Sequence, residues 1–116
     1  MDLLKASELP QGFFYAPQFV RLIDPGLTDL EPCSIVDGDQ LRWRFDGLRL
    51  RFPTRSLVPF AEMATSDDVA CWDLDRGGRV ALIDDFEAPG FERLRVLDDV
   101  YAWLRLAVED LIERDL

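Results

Sequence analysis

The chain contains no histidine, which removes the commonest general base and the commonest side-chain ligand for transition metals. Cysteine is nearly as scarce. Cys33 and Cys71 stand far apart, too few for a disulfide scaffold or a zinc site, and each reads as a small buried apolar residue. With no imidazole to activate them, a thiol nucleophile is not expected. GxSxG, P-loop and GxGxxG segments are all missing. No apolar run approaches the roughly 18 residues of a membrane span. The opening MDLLKASELP lacks the basic start and apolar centre of a secretory leader, so the expected setting is cytoplasmic. Bases are outnumbered, with 13 Lys and Arg against 23 Asp and Glu and a net charge of -10. Such a chain is repelled by nucleic-acid backbones and anionic membranes, and attracted to a basic protein surface.

What is present suits one globular domain, residues 1–116. The length fits a single core, and 48% apolar residues with three Trp, two Tyr and eight Phe can fill it. The pattern of elements is α+β: a small mixed or antiparallel sheet covered by helices. Pro17 can open a short helix with Phe19, Val20, Leu22 and Ile23 on its buried side, and Pro25-Gly26 must end it. CSIV after Pro32, SLVPF, VACWDLD, RVALIDDF and FERLRV read as strands, with Arg76-Gly77-Gly78 turning between the third and fourth. Asp98 is the expected cap of a C-terminal helix whose apolar positions are Val100, Trp103, Leu104, Ala107, Val108, Leu111 and Ile112.

The stretch LRWRFDGLRLRFPT, residues 41–54, holds two near-copies of one phrase and admits two structures. Asp46-Gly47 is a favoured hairpin turn. A hairpin, however, would set Arg44 against Arg49 and Arg42 against Arg51 across the ladder, and like charges directly opposite are destabilising. A helix from about 38 to 52 has better punctuation: Asp37 as N-cap with Gln40 three residues on, Asp39 in the first turn, Arg49 and Arg51 in the last, and Pro53 to stop it. Asp46 would lie within one turn of both Arg42 and Arg49. Gly47 costs about 1 kcal/mol in such a helix, the smaller objection. The helix then directs Leu41, Phe45, Leu48 and Phe52 to the core and leaves Trp43 and Leu50 on its other side, among arginines. Trp72, in a strand, and Trp103, in the helix stripe, are expected inside.

The carboxylates support weaker chemistry. Asp73, Asp75, Gly78 and Asp84 fall on four positions of a calcium loop, but Gly77 takes a ligand position, the last ligand is Asp, and the flanks read as strands. Asp67-Asp68 and Asp84-Asp85 are pairs that could hold a metal in an enzyme, although adjacent acids in turns are ordinarily solvated. No catalytic residue, metal or cofactor is therefore expected. Charge is more informative. Residues 62–87 carry a local balance of -6 and residues 41–55 a balance of +4 through Arg42, Arg44, Arg49, Arg51 and Arg55. Either the two segments neutralise one another within the monomer, or they form separate contact surfaces.

The run LVPFAEMATSDDVACWDLDRGGRVALIDDF, preceded by LEPCSIVDGDQL and followed by APGFERLRVLDDVYAWLRLAVEDLI, resembles the SUKH superfamily of Smi/Knr-like proteins, in its short bacterial branch. The resemblance spans residues 9–112, with Leu57–Ala61 and Asp67–Asp73 its most specific parts. It departs from the family at Trp43 and Leu50, where polar residues are the common pattern. It implies an α+β fold without catalytic residues and a binding role: superfamily members are known mainly as immunity proteins that block toxins deployed between bacteria. On this reading Asp67, Asp68, Asp73, Asp75, Asp84, Asp85 and Glu87 form an acidic patch for a basic toxin, and Arg42, Trp43, Arg49 and Leu50 form a second contact or a homodimer face. A carboxylate metalloenzyme is the remaining alternative.

Overall fold

The computed structural model describes residues 1–114. Its elements follow in the order α1 (Pro17–Ile23), β1 (Asp29–Leu30), β2 (Cys33–Ile35), α2 (Gly38–Arg51), β3 (Leu57–Met63), β4 (Asp68–Asp73), β5 (Arg79–Asp84), β6 (Arg93–Leu97) and α3 (Val100–Arg114). The six strands form one sheet in sequence order, every neighbouring pair antiparallel, so the fold is α+β. Strand β1 is an addition to the expected elements. Two residues long, it is too short to leave a periodic signal, and it pairs with β2 across the cis Glu31-Pro32 bond. Between β4 and β5 a short 3-10 turn, Leu74–Arg76, passes into Gly77 and Gly78, both at positive φ, where side chains with a Cβ are disfavoured.

Alternation along β4 and β5 explains why VACW and VALI are continuous apolar runs. Ala70, Trp72, Val80 and Leu82 face one side of the sheet, Val69, Cys71, Ala81 and Ile83 the other, and both sides are covered. The first side holds the larger core, under α1, α3 and the N-terminal segment. Its centre is a ring cluster in which Trp72 lies 4.5 Å from Phe60 and 5.0 Å from Phe19, while Trp103 of α3 meets Phe60 at 5.3 Å. Edge-to-face geometry dominates, as the ring quadrupoles favour. Trp72 and Trp103 are thus buried, as their positions in the sequence require. Pro59 sits at the register shift between β3 and β4, beyond the end of β2, where its missing N–H leaves no ladder bond unmade.

The helices bury narrower stripes than their apolar patterns suggest. In α1, Phe19 and Leu22 are buried but Val20 is exposed; in α3, Val100, Trp103 and Ala107 are buried while Val108 and Ile112 reach solvent. The cap of α3 is Asp99, whose Oδ1 accepts from the Ala102 N–H at 2.9 Å, and Asp98 lies outside it. Spacing alone could not separate two adjacent aspartates.

Residues 38–51 are helical, and the hairpin is excluded. Leu41 and Phe45 enter the larger core, whereas Leu48 and Phe52 join Leu57, Val69, Cys71, Ala81 and Ile83 in a smaller core on the second side of the sheet. The expected capping box does not form. The Asp37 carboxylate accepts from the Asp2 N–H at 3.1 Å, and Gln40 donates to Glu62 at 3.0 Å. Tertiary partners outcompete the local pair. Because Phe60 joins the β3 register shift to α1, Trp72 and α3, Phe60→Ala is expected to lower unfolding free energy by about 3–5 kcal/mol, read from the urea midpoint at unchanged m-value.

Candidate functional site

The arginines of α2 are separated by what they reach. Arg42 turns toward the N-terminal segment and donates to Glu8 at 2.9 Å, to Asp2 at 3.3 Å and to two backbone carbonyls. Arg44 and Arg51 point at the end of β5, where Asp85 continues the inward side of Ala81 and Ile83 and is fully buried. Arg44 donates through Nη1 to Asp85 Oδ2 at 2.8 Å and through Nε to Glu62 at 2.8 Å. Arg51 donates through Nη2 to Asp85 Oδ1 at 2.6 Å, with its Nε shared between Oδ1 and the Asp85 backbone carbonyl. Beyond the helix, Arg55 donates to Asp73 at 2.8 Å and to Glu92 at 2.6 Å. Among the described residues no buried side-chain nitrogen or oxygen lacks a partner. Burial pulls the Arg44 and Arg55 pKa values down, but the hydrogen bonds to their carboxylates outweigh it and leave both raised, so both stay charged.

These pairs resolve the charge asymmetry of the sequence. Asp73 and Asp85 are buried in ion pairs within the monomer and present no carboxylate to a partner, because their strand positions point into the smaller core. They leave the acidic patch. Asp67 and Glu87 are exposed and Asp68 and Asp84 half-buried at one end of β4 and β5, while Asp75 is exposed at the other end, near the 3-10 turn. Asp68 faces Asp84 directly across the ladder. Desolvation, then the charges of Asp84 and Asp67, raise the Asp68 pKa against a hydrogen bond from Ser66. Arg42 is drawn into internal pairs too. Arg49 makes no ion pair among the described residues and lies over the Phe45 ring at 5.3 Å. Asp46 joins neither Arg42 nor Arg49.

Trp43 and Leu50 remain outside, 52% and 81% exposed. The sequence reading missed their neighbour Phe86, 52% exposed, whose ring centre is 6.4 Å from that of Trp43. The Arg44 guanidinium lies over Trp43 at 5.1 Å and that of Arg51 over Phe86 at 4.4 Å. Asp85 therefore holds, from beneath, both cations that brace the exposed rings. Gly47 belongs to this arrangement. A Cβ at that position would sit on the Arg51 guanidinium, so the mid-helix glycine is the clearance over which Arg51 crosses to Asp85.

Asp73, at the end of β4, and Asp84, at the end of β5, stand at opposite ends of the ladder between these strands, roughly 15 Å apart at strand rise, and no group of three potential metal ligands forms among the described residues. Burial pushes the Cys71 thiol far above its ordinary range, and Cys33 is raised for the same first reason. The cavity between α3 and the sheet, lined by Cys33, Ala70, Leu82 and Leu106, measures about 40 Å³, room for a water, whereas the larger clefts, of about 520 Å³ beside Arg55, Asp73, Arg76 and Glu92 and about 440 Å³ beside Asp46, Arg49 and Leu50, are open at the surface. No helix among the described residues is long and apolar enough to cross a membrane.

Two outcomes test this account. An exposed mid-helix glycine ordinarily gains about 1 kcal/mol on replacement by alanine. Gly47→Ala is instead expected to give no gain, or a loss of up to about 1 kcal/mol in urea unfolding, because the Arg51 guanidinium must shift against its bonds to buried Asp85. In an Arg51→Ala background the same change should recover the ordinary gain. Acid should weaken the fold through Glu92 and Asp99. At Glu92 desolvation is outweighed by backbone hydrogen bonds and by Arg55, and at Asp99 the Ala102 N–H and Gln18 act; both pKa values are lowered. Their contribution is complete above the ordinary carboxylate range and is lost as pH falls through the depressed folded values. Asp68, raised, acts in the opposite sense. Urea midpoints should therefore fall between neutral pH and about pH 3, and Asp99→Asn should flatten that decline.

Compared with family models, with curated proteins and with solved structures, the chain matches none, so its functional reading rests on the geometry of these residues.

Proposed function

We propose that this chain is a non-catalytic protein-binding module of immunity type, which covers and neutralises a basic protein. The resemblance of residues 9–112 to Smi/Knr-like proteins supports a bacterial toxin as that protein. Nucleases are the leading class, because a site built for a polyanionic substrate is itself basic. One observation carries the reading: Arg42, Arg44, Arg51 and Arg55 spend their charge on internal carboxylates. The excess of the net -10 is thereby displayed by surface acids such as Asp39, Asp46, Asp67 and Asp75, none of which has an ion-pair partner among the described residues. Such a surface steers a basic partner and repels nucleic acid.

A second reading, a homodimer through Trp43 and Leu50, draws on the exposure of those side chains. Asp39 and Asp46, on the same helical face, would bring unpaired like charges into that interface. A carboxylate metalloenzyme has no ligand cluster among the described residues to draw on.

The test is affinity capture with the purified chain at low salt, followed by measurement of the partner's association rate and dissociation constant against ionic strength. A basic partner whose association rate falls by about tenfold or more on raising salt is expected. Recovery of no basic protein, or of a partner whose binding ignores salt, overturns the reading.

A further inference from the structure

The face of α2 beside the end of β5 combines three features that do not ordinarily coincide on a passive surface. Trp43, Leu50 and Phe86 are all more than half exposed, and the helical part of this strip, Trp43 to Leu50, runs roughly 10 Å along the axis. The rings are held in place: Arg44 lies over one and Arg51 over the other, and both guanidiniums are hydrogen-bonded to one buried carboxylate. Pre-organised aromatic side chains lose little freedom on contact and are enriched at interface hot spots. The rim is acidic. Asp39 and Asp46 stand one turn before and after Trp43 on the same helical face, and Glu87 follows Phe86 in the chain; none forms an ion pair among the described residues.

Charge complementarity selects the occupant. An entirely apolar partner would desolvate these carboxylates without return. A second copy would bring Asp39 and Asp46 against the same acids, and its arginines at this face are already bound, apart from Arg49. We propose that this strip is the docking site for a basic amphipathic segment of a partner protein, an apolar side chain resting on Trp43, Phe86 and Leu50 and flanking lysines or arginines meeting Asp39, Asp46 and Glu87. The inference rests on the binding role argued above and assigns its contact to this face, which shares only Glu87 with the expected patch of Asp67, Asp68, Asp73, Asp75, Asp84, Asp85 and Glu87.

The test uses the full chain and a short helical peptide carrying leucine on one face and lysine on the other, with a glutamate-for-lysine peptide as control. The three indole N–H resonances in a ¹H–¹⁵N spectrum separate one exposed tryptophan, Trp43, from buried Trp72 and Trp103. On titration the Trp43 resonance should move while the other two stay, and the glutamate peptide should move none. Asp39→Asn with Asp46→Asn should weaken binding by about tenfold, whereas Asp24→Asn with Asp29→Asn, an equal loss of exposed charge elsewhere, should change it by less than about twofold. Trp43→Ser should weaken it similarly, with the two remaining indole resonances reporting an intact core. Binding that leaves Trp43 unmoved overturns the site and keeps the binding role. Absence of lysine-peptide binding counts against both. Movement of the Trp43 resonance with protein concentration alone overturns the occupant, which is then a second copy.

Discussion

The fully buried carboxylate of Asp85 is the interaction on which the rest of this structure turns. A lone carboxylate in that position would be costly to desolvate. Arg44 and Arg51 answer it with charge-assisted hydrogen bonds to both of its oxygens, and Glu62 balances the second positive charge. Removing one partner from such a buried group typically costs about 3–5 kcal/mol. The constraint is geometric as well as energetic. It ties the C-terminal half of α2 to the second side of the sheet, where Leu48 and Phe52 close over Cys71 and Ile83, and Arg51 crosses to Asp85 over the open position at Gly47.

The same carboxylate organises the outer surface. The two guanidiniums that reach it pass over Trp43 and Phe86 on the way, so rings that solvent would otherwise leave free are braced by a group that solvent does not touch. The stability of the core and the ordering of the exposed rings are thereby coupled at one point. A substitution at Asp85 changes both, whereas one at Trp43 changes the surface alone. Arg55, between Asp73 and Glu92, repeats the arrangement nearby on a smaller scale. With Arg44, Arg51 and Arg55 turned to buried carboxylates, the segment from 41 to 55 presents less positive charge to solvent than its sequence suggests.

Much of the fold was legible from local pattern. The apolar runs around Cys71 and Leu82, the turn glycines at 77 and 78, and the apolar positions of α3 announce a sheet and a terminal helix. Four arginines in two opposed pairs conflict at short range in a hairpin at 41–54, which is why α2 is legible as a helix. Errors arose where competing choices are local near-equals: Asp98 against Asp99 as cap, Val20 and Val108 as buried positions, and a two-residue β1 below the reach of periodicity. The capping box at Asp37 and Gln40 failed for another reason. Each side chain had a distant partner, Asp2 or Glu62, that no local rule contains.

The division between what the sequence determined alone and what awaited tertiary structure follows from range. Composition and spacing acted over one or two turns, and they settled the fold class, a helix from about 38 to 52, the burial of Trp72 and Trp103, and the exposure of Trp43 and Leu50. The allocation of charge did not follow from them. Arg44 and Asp85 are 41 residues apart, and Arg55 and Glu92 are 37 apart. Whether such groups meet depends on strand order, on register, and on which side of the sheet a residue takes, a parity that a single-residue slip would invert. Only the assembled sheet could show that Asp73 and Asp85 point inward, that Phe86 lies beside Trp43, and that the acids left over face the solvent.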